Sequence, residues 1–260
     1  METLKITNKG AYTIVQLNRG KVNAINHQLV TELRETMQSL ADDSKTKGVI
    51  LTGIPHFFSA GLDVIELYDY DEKQIEEFFI AFGSMYVELV QFPKALICAI
   101  PGHCPAGGCV IAMTADYRVM AAGEKYSIGL NEVAVNIQIS QNLIAGYAFW
   151  MGHGKASQYI LEGKLLKAQE AFEAGLVSEI APMEEVLERA EKKMKVYLRA
   201  NTEIFQNTKA KLRKPWTDGL VGDAKADLQE AITLWWKPEI RFMMKMFVDS
   251  LTKKKEVKKA

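Results

Sequence analysis

Between Ile100 and Ala115 the sequence reads IPGHCPAGGCVIAMTA, and this stretch limits what the chain can fold into more than any other. Lys94–Ile100, KALICAI, is a short apolar run ending at Pro101-Gly102, the pattern of a buried strand closed by a turn. Ala106-Gly107-Gly108 follows, then Cys109 to Ala115 with no helix breaker. A helix that starts on two glycines offers free backbone N–H groups and no β-carbon to keep a ligand atom away. Such a start suits a developing negative charge. It equally suits close packing of the helix on the strand, and the glycine pair alone does not choose between the two.

A second stretch repeats the design. Val49–Gly53, VILTG, is another buried-strand candidate and leads through Ile54-Pro55-His56 into FFSAGLD at Phe57–Asp63. Two strand-to-turn units, each presenting backbone N–H groups beside a glycine, can grip one oxygen from two sides.

The 260 residues allow a substantial core in one large domain or one and a half; 48% are hydrophobic and 25% charged, as in an ordinary globular chain. Lys+Arg and Asp+Glu balance at 32 each, so no nucleic-acid partner is expected. Cys98, Cys104 and Cys109 are odd in number and sit in or beside apolar segments, which reads as buried thiols in a reducing compartment. With His103 they lack the spacing of a zinc site, so no metal is expected. No segment reaches the roughly eighteen uninterrupted apolar residues of a membrane span. The N-terminus alternates like a strand pair rather than like a signal or transit segment. The expectation is a cytoplasmic protein without a membrane partner, although a processed organellar protein would look the same.

In chain order, Leu4–Thr7 and Tyr12–Leu17 read as a strand pair, and Asn26 or His27 opens a helix to about Ala41. Tyr68–Glu72 reads as an acidic, mobile turn before a helix over Lys73–Phe92. Asp116–Ala121 and Tyr126–Ile128 read as strands, the second leading into Gly129-Leu130-Asn131-Glu132. Helices are predicted at Ser140–Met151, Lys155–Leu161 and Ala168–Ala174, then a strand at Val177–Ile180. Four helices follow, at Met183–Arg199, Thr202–Leu212, Leu220–Trp236 and Pro238–Leu251. Lys253–Lys255 with Lys258-Lys259 then read as a solvated basic tail.

FFSAGLD, CPAGGCVIAMTADYRVMA and YSIGLNE together resemble the enoyl-CoA hydratase/isomerase (crotonase) family over nearly the whole chain, and within it the mitochondrial-type Δ3,Δ2-enoyl-CoA isomerases. The resemblance implies an α/β fold, a crotonase-like spiral of β-β-α units over residues 1–200, and a helical region at 201–260 that packs against neighbouring subunits. It implies a homotrimer or dimer of trimers, an acyl-CoA substrate, and no cofactor, coenzyme A being part of the substrate. Lys or Arg near the C-terminal end contacts the coenzyme A phosphates in the family, and Tyr68 and Tyr70 fall where an acyl-tail groove is bordered.

By the same resemblance, the backbone N–H groups of Leu62 and Gly107 form an oxyanion hole and Glu132 is the acid/base. Ala24, Ser59, Ala60, Gly61, Asp63, Pro105, Gly108, Val110 and Leu130 are expected to surround the substrate. A thioester spreads the charge of a neighbouring carbanion onto its carbonyl oxygen, so catalysis needs fixed donors there and a base at the carbon. Glu132 lies among Ile128, Leu130 and Val133 rather than in a charged run, and desolvation should raise its pKa. Val110 stands where hydratases of the family carry a second glutamate that activates water. A single carboxylate favours moving a proton, so an isomerase is preferred to a hydratase, decarboxylase, hydrolase or non-catalytic acyl-CoA binder. Downstream, NIQISQNLIAGY departs from the family pattern, and Gln138, Ser140, Gln141 and Asn142 put polar groups near the pocket that suit a polar acyl group.

Overall fold

In the computed structural model, which describes residues 1–221 and 224–257, the chain opens on the antiparallel hairpin of β1 (Leu4–Asn8) and β2 (Tyr12–Leu17). Helix α1 (His27–Asp42) follows, capped by Asn26, whose Oδ1 accepts the Leu29 N–H at 3.0 Å. Three segments then repeat one plan, a buried strand followed at once by a short one. They are β3 (Gly48–Thr52) with β4 (His56–Phe57), β5 (Ala95–Ile100) with β6 (Gly102–Pro105), and β7 (Tyr117–Ala121) with β8 (Ser127–Gly129). After β4 come α2 (Val64–Tyr68) and α3 (Glu72–Val90); after β6 comes α4 (Gly107–Met113). After β8 a 3-10 turn (Glu132–Val135) leads to α5 (Gln141–Met151) and α6 (His153–Leu161).

The long strands form one six-stranded sheet in the order β1-β2-β3-β5-β7-β10, parallel from β2 onward, with β10 spanning Glu179–Ala181. The short ones form a second sheet, β4-β6-β8-β9, in which β9 (Leu166–Lys167) runs antiparallel. Because each unit contributes to both sheets before its helix, the chain winds as a spiral of β-β-α turns. The sequences GVILT and ALICAI are buried from end to end, as parallel strands covered on both faces require. The remaining helices are α7 (Ala168–Glu173), α8 (Val186–Tyr197), α9 (Thr202–Thr217), α10 (Ala224–Trp235) and α11 (Pro238–Val257). Among the described residues no helix is long and apolar enough to cross a membrane.

Several sequence expectations are corrected. Gly102–Pro105, read as part of a turn, is strand β6; local propensity opposes a strand there, and pairing with β4 and β8 supplies it. Gly102 is needed because a β-carbon would run into the His56 backbone of β4. Helix α2 was not anticipated; Asp63 starts it by accepting the Glu66 N–H at 3.3 Å. Tyr68–Glu72 is tied down rather than free: Asp71 and Gln74 form a capping box, Tyr70 donates to Glu66, and the Arg241 guanidinium lies 3.8 Å over Tyr68. Met183–Glu185 is a 3-10 turn ahead of α8. Asp218–Val221 is another, ahead of α10, with 222 and 223 outside the described residues. Helix α11 runs through Lys253–Lys255 to Val257, so that part of the basic tail is helical, while Lys258 and Lys259 lie outside the described residues.

Helix α9 continues past its expected end at Leu212 and through Pro215, because its last turns are anchored on the core. Trp216 is buried against Tyr86, Phe149 and Trp150, and its Nε1 donates to the Tyr86 hydroxyl at 3.1 Å. One and two turns earlier, Arg213 and Lys209 reach Asp116 at 2.6 and 2.8 Å, and Asp116 also accepts the Leu96 N–H at 2.8 Å. Both cations are buried, and burial lowers the Lys209 pKa to about 8. Removing the one carboxylate that faces both would leave two desolvated charges facing each other. Asp116→Ala is therefore expected to lower the unfolding free energy by about 3–5 kcal/mol, measured by urea denaturation; a change within 0.5 kcal/mol, the ordinary spread of surface substitutions, would contradict this account of how α9 is held.

Candidate active site

The turn after β4 is fixed almost entirely by backbone and by one buried asparagine. Asn23, left-handed at φ 50°, accepts the Arg19 N–H at 2.8 Å and donates from Nδ2 to the carbonyls of Leu17 and Phe58, both at 3.0 Å. Ser59 Oγ donates to the Asn23 carbonyl at 2.7 Å and accepts the Gly61 N–H at 3.1 Å, so this hydroxyl shapes the turn. Ile25 N–H donates to Gly61 O and Asp63 N–H to Ile25 O, each at 2.8 Å. These bonds flank Leu62 and turn its own N–H the other way, where it meets no acceptor among the described residues. Gly61 has φ 89°, a conformation that strains any residue with a side chain.

The second turn faces the first. Ala106, with φ 48° and ψ −124°, is held in a region non-glycine residues rarely adopt, and it lies directly before α4. Its N–H donates to Gly129 O at 2.8 Å, linking the turn to the end of β8. The two glycines after it play different parts. A β-carbon on Gly108 would sit 3.0 Å from Ser59 O, so this glycine serves close packing. A β-carbon on Gly107 would sit 3.5 Å from Leu62 N and 3.1 Å from the side-chain tips of Ile25 and Leu62, so this one keeps the space between the two amides open. Gly107 N–H likewise finds no acceptor among the described residues.

Glu132 opens the 3-10 turn rather than ending a strand, and Asn136 closes that turn in the left-handed region at φ 61°. The carboxylate is 6% exposed, its Oε2 has no hydrogen-bond partner, and burial pushes its pKa up to about 7 against the lowering pull of the Asn131 and Glu132 backbone. Val133, expected among its apolar neighbours, is 42% exposed and faces away. Val110 lies in the core, and no second carboxylate contributes to the Glu132 shift.

Leu62, Gly107 and Glu132 line one cavity of about 650 Å³. Its other walls come from α3 (Phe79, Phe82, Tyr86, Val87), α5 (Leu143) and α10 (Leu228, Ile232), and from Ile137. Ala24, Ser59, Ala60, Gly61, Asp63, Pro105, Gly108, Val110 and Leu130 do not reach its surface. Asp63 is engaged with Arg19 at 2.7 Å, and the Ala24 carbonyl accepts from the same guanidinium at 2.7 Å. Tyr68 and Tyr70 lie outside the cavity, so the groove wall comes from α3 and not from the segment before it. Gln138, Ser140 and Asn142 line it, whereas Gln141 is exposed and its N–H donates to Asp227 at 2.8 Å. The contribution of α10 was not anticipated, because nothing local in its sequence says which element it packs on. Among the described residues no group of three or more His, Cys, Asp or Glu is placed to hold a metal ion.

Residues 7–256 match the family model for enoyl-CoA hydratase/isomerase. The chain is 32% identical over 243 residues to the mitochondrial enoyl-CoA delta isomerase 1 of Rattus norvegicus, covering 93% of this chain and 84% of that protein. It is 31% identical over 196 residues to the 2,3-dehydroadipyl-CoA hydratase of Escherichia coli K12, covering 73% of each. The crystal structure of human mitochondrial delta3-delta2-enoyl-CoA isomerase superposes with a TM-score of 0.93 at 30% identity, over 97% of this chain and 99% of that one. The α/β spiral, its C-terminal helices and the matched sequence agree: this chain is a member of the enoyl-CoA hydratase/isomerase family with the crotonase fold.

Proposed function

We propose that the protein is a Δ3,Δ2-enoyl-CoA isomerase, and the observation that carries this reading is the sharing of one cavity by two unpaired backbone amides and a buried carboxylate with one unpartnered oxygen. The thioester oxygen of a 3-enoyl-CoA sits between the Leu62 and Gly107 N–H groups, which form the oxyanion hole. Glu132 takes a proton from C2. The C2–H electron pair becomes part of a dienolate whose charge rests largely on the held oxygen. The carboxyl then returns its proton at C4, the double bond moves from C3–C4 to C2–C3, and Glu132 is again a carboxylate. A base with a pKa near 7 is matched to both halves of this exchange. Val110 is buried where a second glutamate would stand, and no other carboxylate acts on Glu132, which favours moving a proton over activating water for hydration. The scheme requires no cofactor beyond the coenzyme A carried by the substrate.

Self-association into a trimer or a dimer of trimers through residues 201–260 is part of the same reading. It is supported by Ile204 and Leu212 on α9 and Phe242 and Met246 on α11, apolar side chains left 60–67% exposed in the single chain. Sedimentation equilibrium should give three or six times the chain mass, and a monomer at micromolar concentration would contradict it. The compartment we carry forward is the cytoplasm, supported by three buried unpaired cysteines, a reducing setting that a mitochondrial matrix would satisfy equally.

The activity is tested by following 3-hexenoyl-CoA to its conjugated 2-isomer by absorbance. Glu132→Gln should lower kcat by about 10³-fold; an unchanged rate, or a hydrated product from the wild type, would overturn the isomerase reading. Wild-type kcat/KM should rise with pH through an apparent pKa near 7, and the variant should lack that limb. Stability should move oppositely: because the folded-state pKa is raised from 4.5, folding loses up to about 3 kcal/mol as pH climbs from the ordinary carboxyl range to about 7, and Glu132→Gln should remove this loss. Gly107→Ala, whose methyl enters the gap between the amides, should cost about 100-fold in kcat with little change in Tm, since the helix start tolerates alanine; near-normal turnover would place the reacting oxygen elsewhere.

A further inference from the structure

Of the polar side chains that the cavity wall carries beside Glu132, Gln138 stands nearest in sequence to the catalytic turn. Two carboxylates on the wall are engaged within the protein: Asp227 accepts the Gln141 N–H at 2.8 Å, and Glu88 pairs with Arg34 at 2.6 Å. Gln138 differs. It lines the cavity, and its side-chain amide makes no hydrogen bond among the described residues. It lies just past the turn that Ile137 N–H closes on Glu132 O at 2.9 Å, on a wall otherwise built by Ile137, Leu143 and the α3 aromatics. A half-shielded amide on a mostly apolar wall gains from a ligand group that brings it a hydrogen-bond donor or acceptor.

Resting on the isomerase reading of the same site, we propose that Gln138 is a specificity-determining residue that selects acyl chains bearing a neutral hydroxyl beyond the reacting carbons. A hydroxyl both donates and accepts, so it satisfies the amide in either orientation. An unsubstituted chain leaves the amide unpaired. A terminal carboxylate brings no donor, and the ionisable residues on the wall, Glu76, Glu88, Glu132 and Asp227, include no lysine or arginine to receive it. The selection is by hydrogen bonding against an acidic rim, in a cavity otherwise suited to an apolar tail.

The test uses saturated, unreactive acyl-CoA analogues and isothermal calorimetry, so that it does not depend on turnover. Hexanoyl-CoA, its 5-hydroxy and 6-hydroxy derivatives, their methyl ethers and the chain ending in a carboxylate are compared on wild type, Gln138→Met and Gln138→Leu. One hydroxylated analogue should bind the wild type about fivefold to tenfold more tightly than hexanoyl-CoA, as one neutral hydrogen bond allows. Its methyl ether should lose most of that gain, the carboxylated chain should bind at least about tenfold more weakly, and both variants should bring the hydroxyl preference to within twofold of unity. Equal affinity of the wild type for plain and hydroxylated chains, a preference kept in either variant, retention of the gain by the ether, or tighter binding of the carboxylate overturns the proposal. Conversion of 3-hexenoyl-CoA without any hydroxyl preference would sink this inference alone, whereas a hydroxyl preference without isomerisation would sink the reaction assigned above and keep the binding role.

Discussion

The structure depends on the close meeting of two backbone turns. Gly61 and Ala106 approach so closely that a β-carbon on the first would lie 3.0 Å from that of the second, and the amides of Leu62 and Gly107 emerge on either side of this contact. Neither amide relies on its own side chain for its direction. Leu62 is aimed by the bonds on either side of it to Ile25, and Gly107 by the strained Ala106 whose N–H is fixed to Gly129 O. Donors held in this way lose nothing to reorganisation when charge develops on a ligand oxygen, which is the physical basis of preorganised stabilisation.

The rest of the fold sets those turns at the right separation. The parallel pairs β3–β5 and β5–β7 fix the spacing of the long strands, and β4, β6 and β8 carry the same spacing into the turns. Asn23 and Ser59 fasten the first turn to the end of β2, and the Arg19, Asp63 and Glu66 cluster fastens the start of α2 behind it. Helices α3, α5 and α10 close the cavity over Glu132 and keep its carboxylate away from water, which both raises its pKa and leaves Oε2 without a partner. Such a group weakens folding at neutral pH, a cost characteristic of sites arranged for proton transfer.

Much of this was legible in the residues. Long apolar runs such as ALICAI specify buried parallel strands wherever they occur, and the strand-to-glycine transitions at Gly61 and Gly107 mark the two turns. The resemblance of FFSAGLD, PAGGC and GLNE to one family singled out Leu62, Gly107 and Glu132, and the structure brings these three to one cavity. The second sheet was not legible, because β4, β6 and β8 are only two to four residues long, β6 and β8 carry Pro or Gly, and all three exist only through pairing. Nor was the part played by Ser59 and Asp63, whose side chains hold the turn and the ion cluster rather than the cavity wall. Pro215 marked a helix end that tertiary anchoring through Lys209, Arg213 and Trp216 overrides. The contribution of α10 is a matter of which distant helix lands on α3, and no local pattern encodes that.

The proposed chemistry turns on where a thioester oxygen sits. A crystal structure with a bound, non-reacting acyl-CoA measures this directly. The carbonyl oxygen should lie about 2.7–3.1 Å from both the Leu62 and Gly107 nitrogens, with the Glu132 carboxylate over C2 and C4. An oxygen bonded to only one of those amides or to neither, or a Glu132 facing away from the acyl carbons, would contradict it.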